Sequence, residues 1–134
     1  LRRQVGMNGA SELEAIRRHV DGGRYRKAAQ LLESLTVESY TDFSEAWYVR
    51  SVSHFGLGKM EDAIRFSRRA RALNEFHYAA YALEGRCWMA LNQPLQALKL
   101  FEESFAINPS QVAIKQYVDQ IRRAARRLNP DDRA

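Results

Sequence analysis

The sequence predicts an all-α protein in which three helical hairpins follow one another and one further helix closes the array. Segments 44–77 and 78–111 resemble each other position by position without a gap, with residue 78 aligned to residue 44, which indicates an internal repeat. Good helix formers such as Ala, Leu, Arg and Glu are abundant, and the 134 residues include only three prolines and seven glycines. Apolar residues also recur at the spacing of an amphipathic helix, as at 63, 64, 66, 70 and 73.

The repeat matches side chains of similar kind at the positions where helices pack. Along the two segments these pairs are Trp47 with Tyr81, Ser51 with Gly85, His54 with Trp88, Leu57 with Leu91, Ala63 with Ala97, and Ala70 with Ser104. A third copy lies upstream and is displaced by one further residue near Phe43, so that Ala28 matches Ala63 and His19 matches His54. Three copies of one unit predict three equivalent hairpins.

The repeated unit resembles the tetratricopeptide family. That family's pattern runs from an aromatic residue to leucine-glycine, a second aromatic, a glycine turn, alanine, an aromatic, alanine and a closing proline. The matching residues here are Trp47, Gly85, Trp88, Gly58, Ala63, Ala97, Phe101, Ala70 and Pro109. The departures are Ile16 and Ser51 at the small glycine, Ser67 at the second-helix aromatic, and Glu75 at the proline. Over about residues 10–111, the resemblance implies a right-handed α-solenoid.

We predict six hairpin helices, at 11–21, 24–35, 43–57, 60–73, 78–91 and 94–107. Ser11 with Glu14, and Asp42 with Glu45, have the spacing of capping boxes that begin the first and third helices. Asn92 is expected to cap the sixth helix, which has a proline in its first turn. Glycines at 22, 23, 56 and 58 are expected in the hairpin turns, where glycine allows a positive φ.

A last helix is predicted at 110–128 as the cap of the array. Its apolar stripe would consist of Ile114, Tyr117, Val118, Ile121, Ala125 and Leu128. Such a helix covers the flank that a terminal repeat otherwise exposes. The predicted organisation is a flexible segment 1–10, a repeat domain 11–128 with units at about 9–43, 44–77 and 78–111, and a tail 129–134. The chain begins with Leu and not Met, which is expected of an excised fragment of a longer protein or of a remnant of cloning.

No pattern in the sequence points to catalysis, so we predict a protein that is not an enzyme and uses no metal or cofactor. The histidines 19, 54 and 77 lack the His-x-x-x-His or Glu-x-x-His spacing of metal sites, and no glycine-rich phosphate loop is present. His54 matches Trp88 in the repeat, which indicates a packing role. The single cysteine, Cys87, excludes an intramolecular disulfide and is expected to be a small buried residue. It fits a reducing, cytoplasmic compartment, and no apolar stretch has the length of a membrane span.

The resemblance implies a binding surface on the first helix of each hairpin. In the tetratricopeptide family these helices line a concave face, where peptides or partner helices bind. Carried over by repeat position, the expected groove residues are Arg17, Tyr48, Val52, Phe55, Arg86 and Met89. Further positions in the same groove are Leu13, Val20, Glu45, Ala79, Ala82, Gln116 and Gln120. The alternative for Val52 and Phe55 is packing against the neighbouring hairpin. The expected partner is a protein or peptide with acidic and apolar features, bound by a scaffold or adaptor.

One subgroup of the family is disfavoured. Its members grip the C-terminal carboxylate of heat-shock chaperones with a set of lysines, asparagines and an arginine. The matching places here hold Leu13, Arg17, Val49, Ala79 and Leu83. Because only Arg17 is basic, we do not expect that carboxylate grip.

Two groups of arginines stand out in a chain of formal charge +5. They are Arg65, Arg68, Arg69 and Arg71, and, in the last helix, Arg122, Arg123, Arg126 and Arg127. A solvated helix face is the simpler interpretation, and the alternative is a basic patch for phosphate or acidic groups. Without interleaved aromatic residues, base recognition has little support, so nucleic acid is the least favoured partner.

Two alternatives to a monomeric scaffold or adaptor stay open. Chaperones of type III secretion translocators also consist of three such repeats with a helical cap, but they tend to be acidic, whereas this sequence has a pI near 9.7. An array of three repeats also leaves exposed ends, so a homodimer through the first or last helix is the other alternative.

Overall fold

The computed structural model describes residues 9–34 and 44–128, with side chains from residue 12 onward. The helices are α1 (Gly9–Asp21), α2 (Tyr25–Glu33), α3 (Ser44–Gly56), α4 (Met60–Leu73), α5 (Tyr78–Ala90), α6 (Pro94–Ile107) and α7 (Val112–Leu128). Within these two ranges there is no β-strand. The predicted all-α class is therefore confirmed. Most of the N-terminal segment, the tail and the capping box at Asp42 lie outside the described residues.

The helices pack as three hairpins in chain order. Helix α1 contacts α2, α3 contacts α4, and α5 contacts α6, while α2, α4 and α6 each also contact the helix that follows. The first helices of successive hairpins touch as well, α1 with α3 and α3 with α5. Contacts confined to neighbouring units are the property of a solenoid. This arrangement aligns α1, α3 and α5 side by side.

Small residues allow the two helices of each hairpin to approach closely. Ala28, Ala63 and Ala97 occupy the same place in the three second helices and are completely buried. Opposite Ala63, the Ser51 hydroxyl donates a hydrogen bond of 2.6 Å to the Ala63 carbonyl. In the third hairpin Gly85 stands at the place of Ser51, and a Cβ atom there would lie 2.5 Å from the Phe101 ring. Serine therefore fits the place where the tetratricopeptide pattern has glycine. Its hydroxyl donates a hydrogen bond to the facing backbone, so that no buried polar group is left unpaired.

The hairpin turns use one left-handed residue at a repeated position. Gly23, Gly58 and Asn92 have φ values of 77°, 80° and 59°. The expectation that Asn92 caps α6 is wrong, because the N-cap residue is Gln93 and its side chain makes no capping hydrogen bond. Asparagine tolerates the left-handed region better than most residues, so Asn92 takes the turn position that glycine holds in the other hairpins. The proline in the first turn of α6 is confirmed.

The cap helix α7 covers the third hairpin. Ile114, Val118 and Ile121 are buried in one cluster with Ala97 and Phe101. The predicted apolar stripe is therefore correct in its central part. It fails at Leu128, which is 88% exposed.

Candidate binding surface

The predicted groove residues lie on three adjacent helices. Arg17 is on α1, Tyr48, Val52 and Phe55 are on α3, and Arg86 and Met89 are on α5. Arg86 and Met89 are exposed, and the other four are half-buried. All six side chains therefore reach solvent to some extent.

Three of the further groove positions are part of the core. Leu13, Val20 and Ala82 are only 7%, 8% and 8% exposed, so the expectation that they line the groove is wrong. Leu13 and Val20 pack with Ala28, Leu32 and other members of the first core cluster, because the apolar side of α1 faces α2 and α3. Of the other further positions, those at 116 and 120 are exposed and those at 45 and 79 are half-buried.

A chain of polar contacts crosses the three first helices at one end of this surface. The Arg17 guanidinium forms an ion pair with the Glu45 carboxylate. The other oxygen of that carboxylate lies 2.9 Å from Nε2 of His77, the residue that precedes α5. Glu45 therefore connects α1 and α3 to the start of α5, and Arg17 already has a partner within the protein.

His77 is held in one tautomer by two hydrogen bonds. The backbone N–H of Ala80 donates to Nδ1 across 3.2 Å, which makes His77 the N-cap of α5. Since Nδ1 accepts, the ring proton is on Nε2 and is donated to Glu45. Burial lowers the pKa of His77 below 6.5, and the positive charge of Arg17 lowers it further, against the effect of the backbone hydrogen bond. The neutral ring is the form that fits this position.

Tyr48 stands between the polar chain and the core. Its ring centroid is 4.8 Å from that of His77, with the planes tilted by 44°, and it also packs against the first core cluster. Burial raises the pKa of its phenol above 10.0, although the charges of Arg17 and Arg86 act in the opposite direction. Tyr48 therefore presents a neutral hydroxyl and part of an aromatic ring.

Arg86 is the exposed cation of this surface. Its guanidinium carbon lies 4.8 Å from the centroid of the Phe55 ring, within the range of a cation–π contact. Among the residues that the structure describes, no carboxylate lies within ion-pair distance of it. Phe55 also packs against the cluster of Ala63, Ile64 and Cys87, so it is partly a packing residue.

Met89 borders an apolar crevice between the third hairpin and the cap. The crevice has a volume of about 550 Å³ and is lined by Met89, Pro94, Leu95, Gln120, Ile121, Ala124, Ala125 and Leu128. Gln120, which was expected to extend the groove, lies in this crevice.

A buried carboxylate that the sequence did not reveal joins α4 to α5. Glu84 is 1% exposed and accepts hydrogen bonds from Nε of Arg68 at 3.2 Å and Nε of Arg71 at 2.9 Å. Nε1 of Trp88 donates to it across 3.3 Å. The available signal was a glutamate at the place where the family's pattern has leucine, directly before Gly85.

The arginines of α4 contact protein groups. Besides the two that bind Glu84, Arg65 pairs with Asp62, and the guanidinium carbon of Arg69 lies 5.7 Å from the Trp47 ring centroid. These contacts occupy them within the fold, which argues against a free phosphate-binding face on this helix. The contacts also show that this helix face is not simply a set of arginines surrounded by solvent, which was the simpler interpretation of the sequence.

The four arginines of the predicted basic patch are exposed on α7. Arg122 donates to Glu102 across 3.1 Å. No carboxylate of the described segments lies within ion-pair distance of Arg123, Arg126 or Arg127. The C-terminal half of α7 therefore carries three arginines whose positive charges have no counter-charge close by in the described structure.

The remaining candidate residues have structural contacts. The ring of His54 meets that of Phe66 at 4.9 Å, as the repeat predicted, and Nδ1 of His19 accepts from Arg24 at 2.9 Å. Cys87 is completely buried, and burial raises the pKa of its thiol to about 12, with a further contribution from the charge of Glu84. The described residues contain no group of three His, Cys, Asp or Glu side chains placed to hold a metal ion. None of the helices in the described ranges is long and apolar enough to cross a membrane.

Comparisons with known proteins identify the fold. No protein-family model matches the chain, and no curated protein matches it. A MamA protein superposes with a TM-score of 0.75 at 23% identity, covering 84% of this chain, which spans 61% of the MamA chain. The first TPR of Spaghetti (RPAP3), bound to the HSP90 peptide SRMEEVD, gives 0.77 at 20% identity over 87% of this chain and 91% of its own. The Yersinia enterocolitica type III secretion chaperone SycD, in complex with a peptide of the translocator YopD, gives 0.77 at 9% identity over 87% and 93%.

Proposed function

From the tetratricopeptide-repeat fold of this chain, we propose that the protein is a non-enzymatic scaffold or adaptor that binds a peptide or helix of a partner protein. The binding face would be formed by α1, α3 and α5. Two proteins of similar fold, the RPAP3 domain and SycD, hold peptides in their structures. In this chain Arg86 supports the proposal most directly, because it is an exposed cation beside the Phe55 ring without an ion-pair partner in the described structure.

The surface around Arg86 suits a ligand that combines a carboxylate with an apolar side chain. The guanidinium can donate two parallel hydrogen bonds to a carboxylate. Phe55 and Met89, at equivalent places in the second and third hairpins, offer apolar area next to it. Arg17 is a weaker anchor, since a ligand carboxylate would have to compete with Glu45 for it.

We do not expect the chaperone-type C-terminal carboxylate as the ligand. Leu13, Val49 and Leu83, at three of the places that would have to grip it, are buried apolar side chains. An acidic and apolar segment within a partner sequence is the better fit to this face.

The second candidate is a chaperone for a type III secretion translocator, which the likeness to SycD favours. A pI near 9.7 stands against it. Co-expression with a membrane-inserting client from the same genomic neighbourhood tests it, because a secretion chaperone should keep that client soluble and co-purify with it. A nucleic-acid accessory role is less favoured, since Arg68 and Arg71 are committed to Glu84.

A displayed library of random peptides, selected on the immobilised protein, tests the proposed face. We expect enriched sequences with Asp or Glu beside Leu, Ile, Met or Phe. Arg86→Ala should weaken the selected peptides by about 10-fold or more, because a hydrogen bond to a charged group contributes about 1.5–3 kcal/mol. Isothermal titration calorimetry measures this loss.

Matched variants separate the face from general charge effects. Arg86→Lys should retain part of the affinity, and Arg65→Ala, which removes an exposed arginine of α4, should retain all of it. The free energy of unfolding of Arg86→Ala should fall by no more than about 1 kcal/mol, the contribution of an exposed cation–π contact. Unchanged affinity in Arg86→Ala, or an equal loss in Arg65→Ala, would contradict the proposed face.

A further inference from the structure

We propose that the crevice between the turn of the third hairpin and the C-terminal half of α7 is a second docking site, which takes an acidic amphipathic helix of a partner protein. This proposal is independent of the α1–α3–α5 face, although Met89 borders both. It rests on the length of α7, on the apolar side chains that this length leaves uncovered, and on the arginines beside them.

In the repeat, α7 corresponds to the first helix of a further hairpin, and it continues past the position at which α3 and α5 end. Helices α3 and α5 have 13 residues each, and α7 has 17. At the repeat position of Gly58 and Asn92, where a left-handed residue turns the chain back, α7 has Arg126 and remains helical. Four additional residues extend the helix by about 6 Å, past the turn between α5 and α6.

The extended end leaves apolar side chains without cover. Leu128 is 88% exposed, Leu95 in the first turn of α6 is 68% exposed, and Met89 is 38% exposed. With Ile121, Ala124 and Ala125 they line the crevice of about 550 Å³, in which Gln120 is the one polar member. Contiguous apolar surface of this kind marks interaction sites on soluble proteins.

The length of the crevice matches a short helix. From Gln120 to Leu128 the lining residues of α7 span two turns, about 12 Å. The first turn of α6 forms the opposite wall through Pro94 and Leu95. The apolar side chains of a partner helix of two to three turns, at three- and four-residue spacing, would enter the space between these walls.

The positive charges beside the crevice determine which kind of partner helix it fits. Arg123 and Arg127 follow Gln120 and Ala124 at three-residue spacing, so they lie along one side of the crevice. Neither has a carboxylate within ion-pair distance in the described structure. A second copy of this chain would place the same patch opposite itself, bringing arginines against arginines in a molecule of charge +5. Glutamates or aspartates beside the apolar stripe of a partner helix would instead complement them.

A synthetic peptide tests the site directly. The probe is a fluorescein-labelled peptide of about 18 residues with Leu at positions i, i+3, i+4 and i+7, Glu at the positions that flank the Leu stripe and Ala elsewhere, and its counterpart has Lys in place of Glu. By fluorescence anisotropy we expect the acidic probe to bind and the basic probe to bind at least 10-fold more weakly. Leu95→Gln and Leu128→Gln should each reduce affinity for the acidic probe by about 5-fold or more. Arg123→Glu with Arg127→Glu should abolish the preference for the acidic probe.

The control is an exposed residue whose replacement leaves the core intact. Val112→Gln changes a 70% exposed apolar residue at the opposite end of α7 and should bind the acidic probe as the wild type does. If the acidic probe fails to bind, or if the basic probe binds equally well, the proposal is overturned.

Two further outcomes overturn the proposal and identify the reason. If affinity falls in Arg86→Ala but not in Leu128→Gln, the probe occupies the α1–α3–α5 face, and the proposed function stands without this second site. If sedimentation velocity shows a dimer of the wild type that Leu128→Gln dissociates, the occupant is a second copy of the chain.

Discussion

At the scale of single residues, His77 combines a helix cap with a contact between hairpins. It caps α5 through Nδ1 and donates to Glu45 through Nε2. Because Glu45 also pairs with Arg17, a series of side-chain contacts connects the start of α5 to α3 and α1. Replacing His77 therefore removes a helix cap and a contact between hairpins together.

Two substitutions of His77 separate these roles. His77→Ala should lower the free energy of unfolding by about 1–2 kcal/mol, because it removes the cap and the bond to Glu45. His77→Asn should cost less, since asparagine is a good N-cap residue but is too short to reach Glu45. Urea denaturation at neutral pH measures both, and equal losses would show that the cap contributes nothing.

The stability of the protein should also depend on pH through His77. Its pKa in the folded state is lower than the ordinary 6.5, so below pH 6.5 the unfolded chain binds this proton more readily than the folded chain. The stabilisation from neutral His77 is therefore complete above 6.5 and is lost as the pH falls toward the folded-state pKa. Between about pH 7 and about pH 5.5, the wild type should lose more stability than His77→Asn. Parallel curves for the two proteins would contradict this assignment.

Residue roles were predictable where the repeat supplied a comparison. The packing of His54 follows from its place in the repeated unit, which tryptophan fills in the next copy, whereas the burial of Cys87 was inferred from its small size and its position beside Trp88 in a packed helix. Glu84 and His77 were missed because their roles depend on side chains of other helices, and only the folded chain brings these together. Leu13 was assigned to the wrong side of α1 because a family position gives the helix but not the final rotation of each side chain.

At the scale of helices, Glu84 ties α5 to α4. Its carboxylate is buried, whereas Arg68 and Arg71 are partly exposed, with side-chain exposures of 54% and 30%. The two sides of this contact therefore respond differently to mutation. Removing the carboxylate leaves two arginines that can turn to water, but removing the arginines leaves a buried negative charge.

The asymmetry predicts opposite outcomes for two variants. Glu84→Leu, which introduces the residue of the family's pattern, should change the free energy of unfolding by less than about 1 kcal/mol or increase it. The double substitution Arg68→Ala with Arg71→Ala should lower it by about 2 kcal/mol or more. Guanidinium denaturation measures both. Equal and large losses in the two variants would mean that the ion pair itself stabilises the contact.

The helices themselves were predicted well from periodicity, and their ends less well. Helix α2 was expected at 24–35 and is Tyr25–Glu33, and α7 begins at Val112 and not at 110. Asn92 shows why ends are harder to predict. The same residue type suits a helix cap and a left-handed turn, and the choice depends on how the hairpin closes in three dimensions.

At the scale of the whole molecule, α7 closes the array. In a solenoid each unit is stabilised by its neighbours, so a terminal unit exposes its apolar flank unless a cap covers it. Phe101 is completely buried, and the ring of Tyr117 stacks on it with centroids 5.2 Å apart. The stability of the third hairpin should therefore depend on α7.

Substitution of the buried side of α7 tests this dependence. Ile114→Ala, Val118→Ala and Ile121→Ala combined should cost more than about 4 kcal/mol, a large part of the stability of a domain of this size. Circular dichroism should show loss of helix, and a hydrophobic dye should bind the uncovered third hairpin. Alanine at the exposed positions Lys115, Gln116 and Gln120 should leave both signals unchanged. A stable triple variant of the buried side would mean that α7 is not required as a cap.

The pairing of Glu84 with the arginines of α4 also constrains how this protein could have been assembled from its parts. At the place that Glu84 holds in the third hairpin, the second hairpin has Arg50. A duplication or exchange of hairpins that set Arg50 against Arg68 and Arg71 would gather three positive charges at one junction and leave the acid unmatched. We therefore expect such an exchange to destabilise the junction, so that the second and third units are not interchangeable.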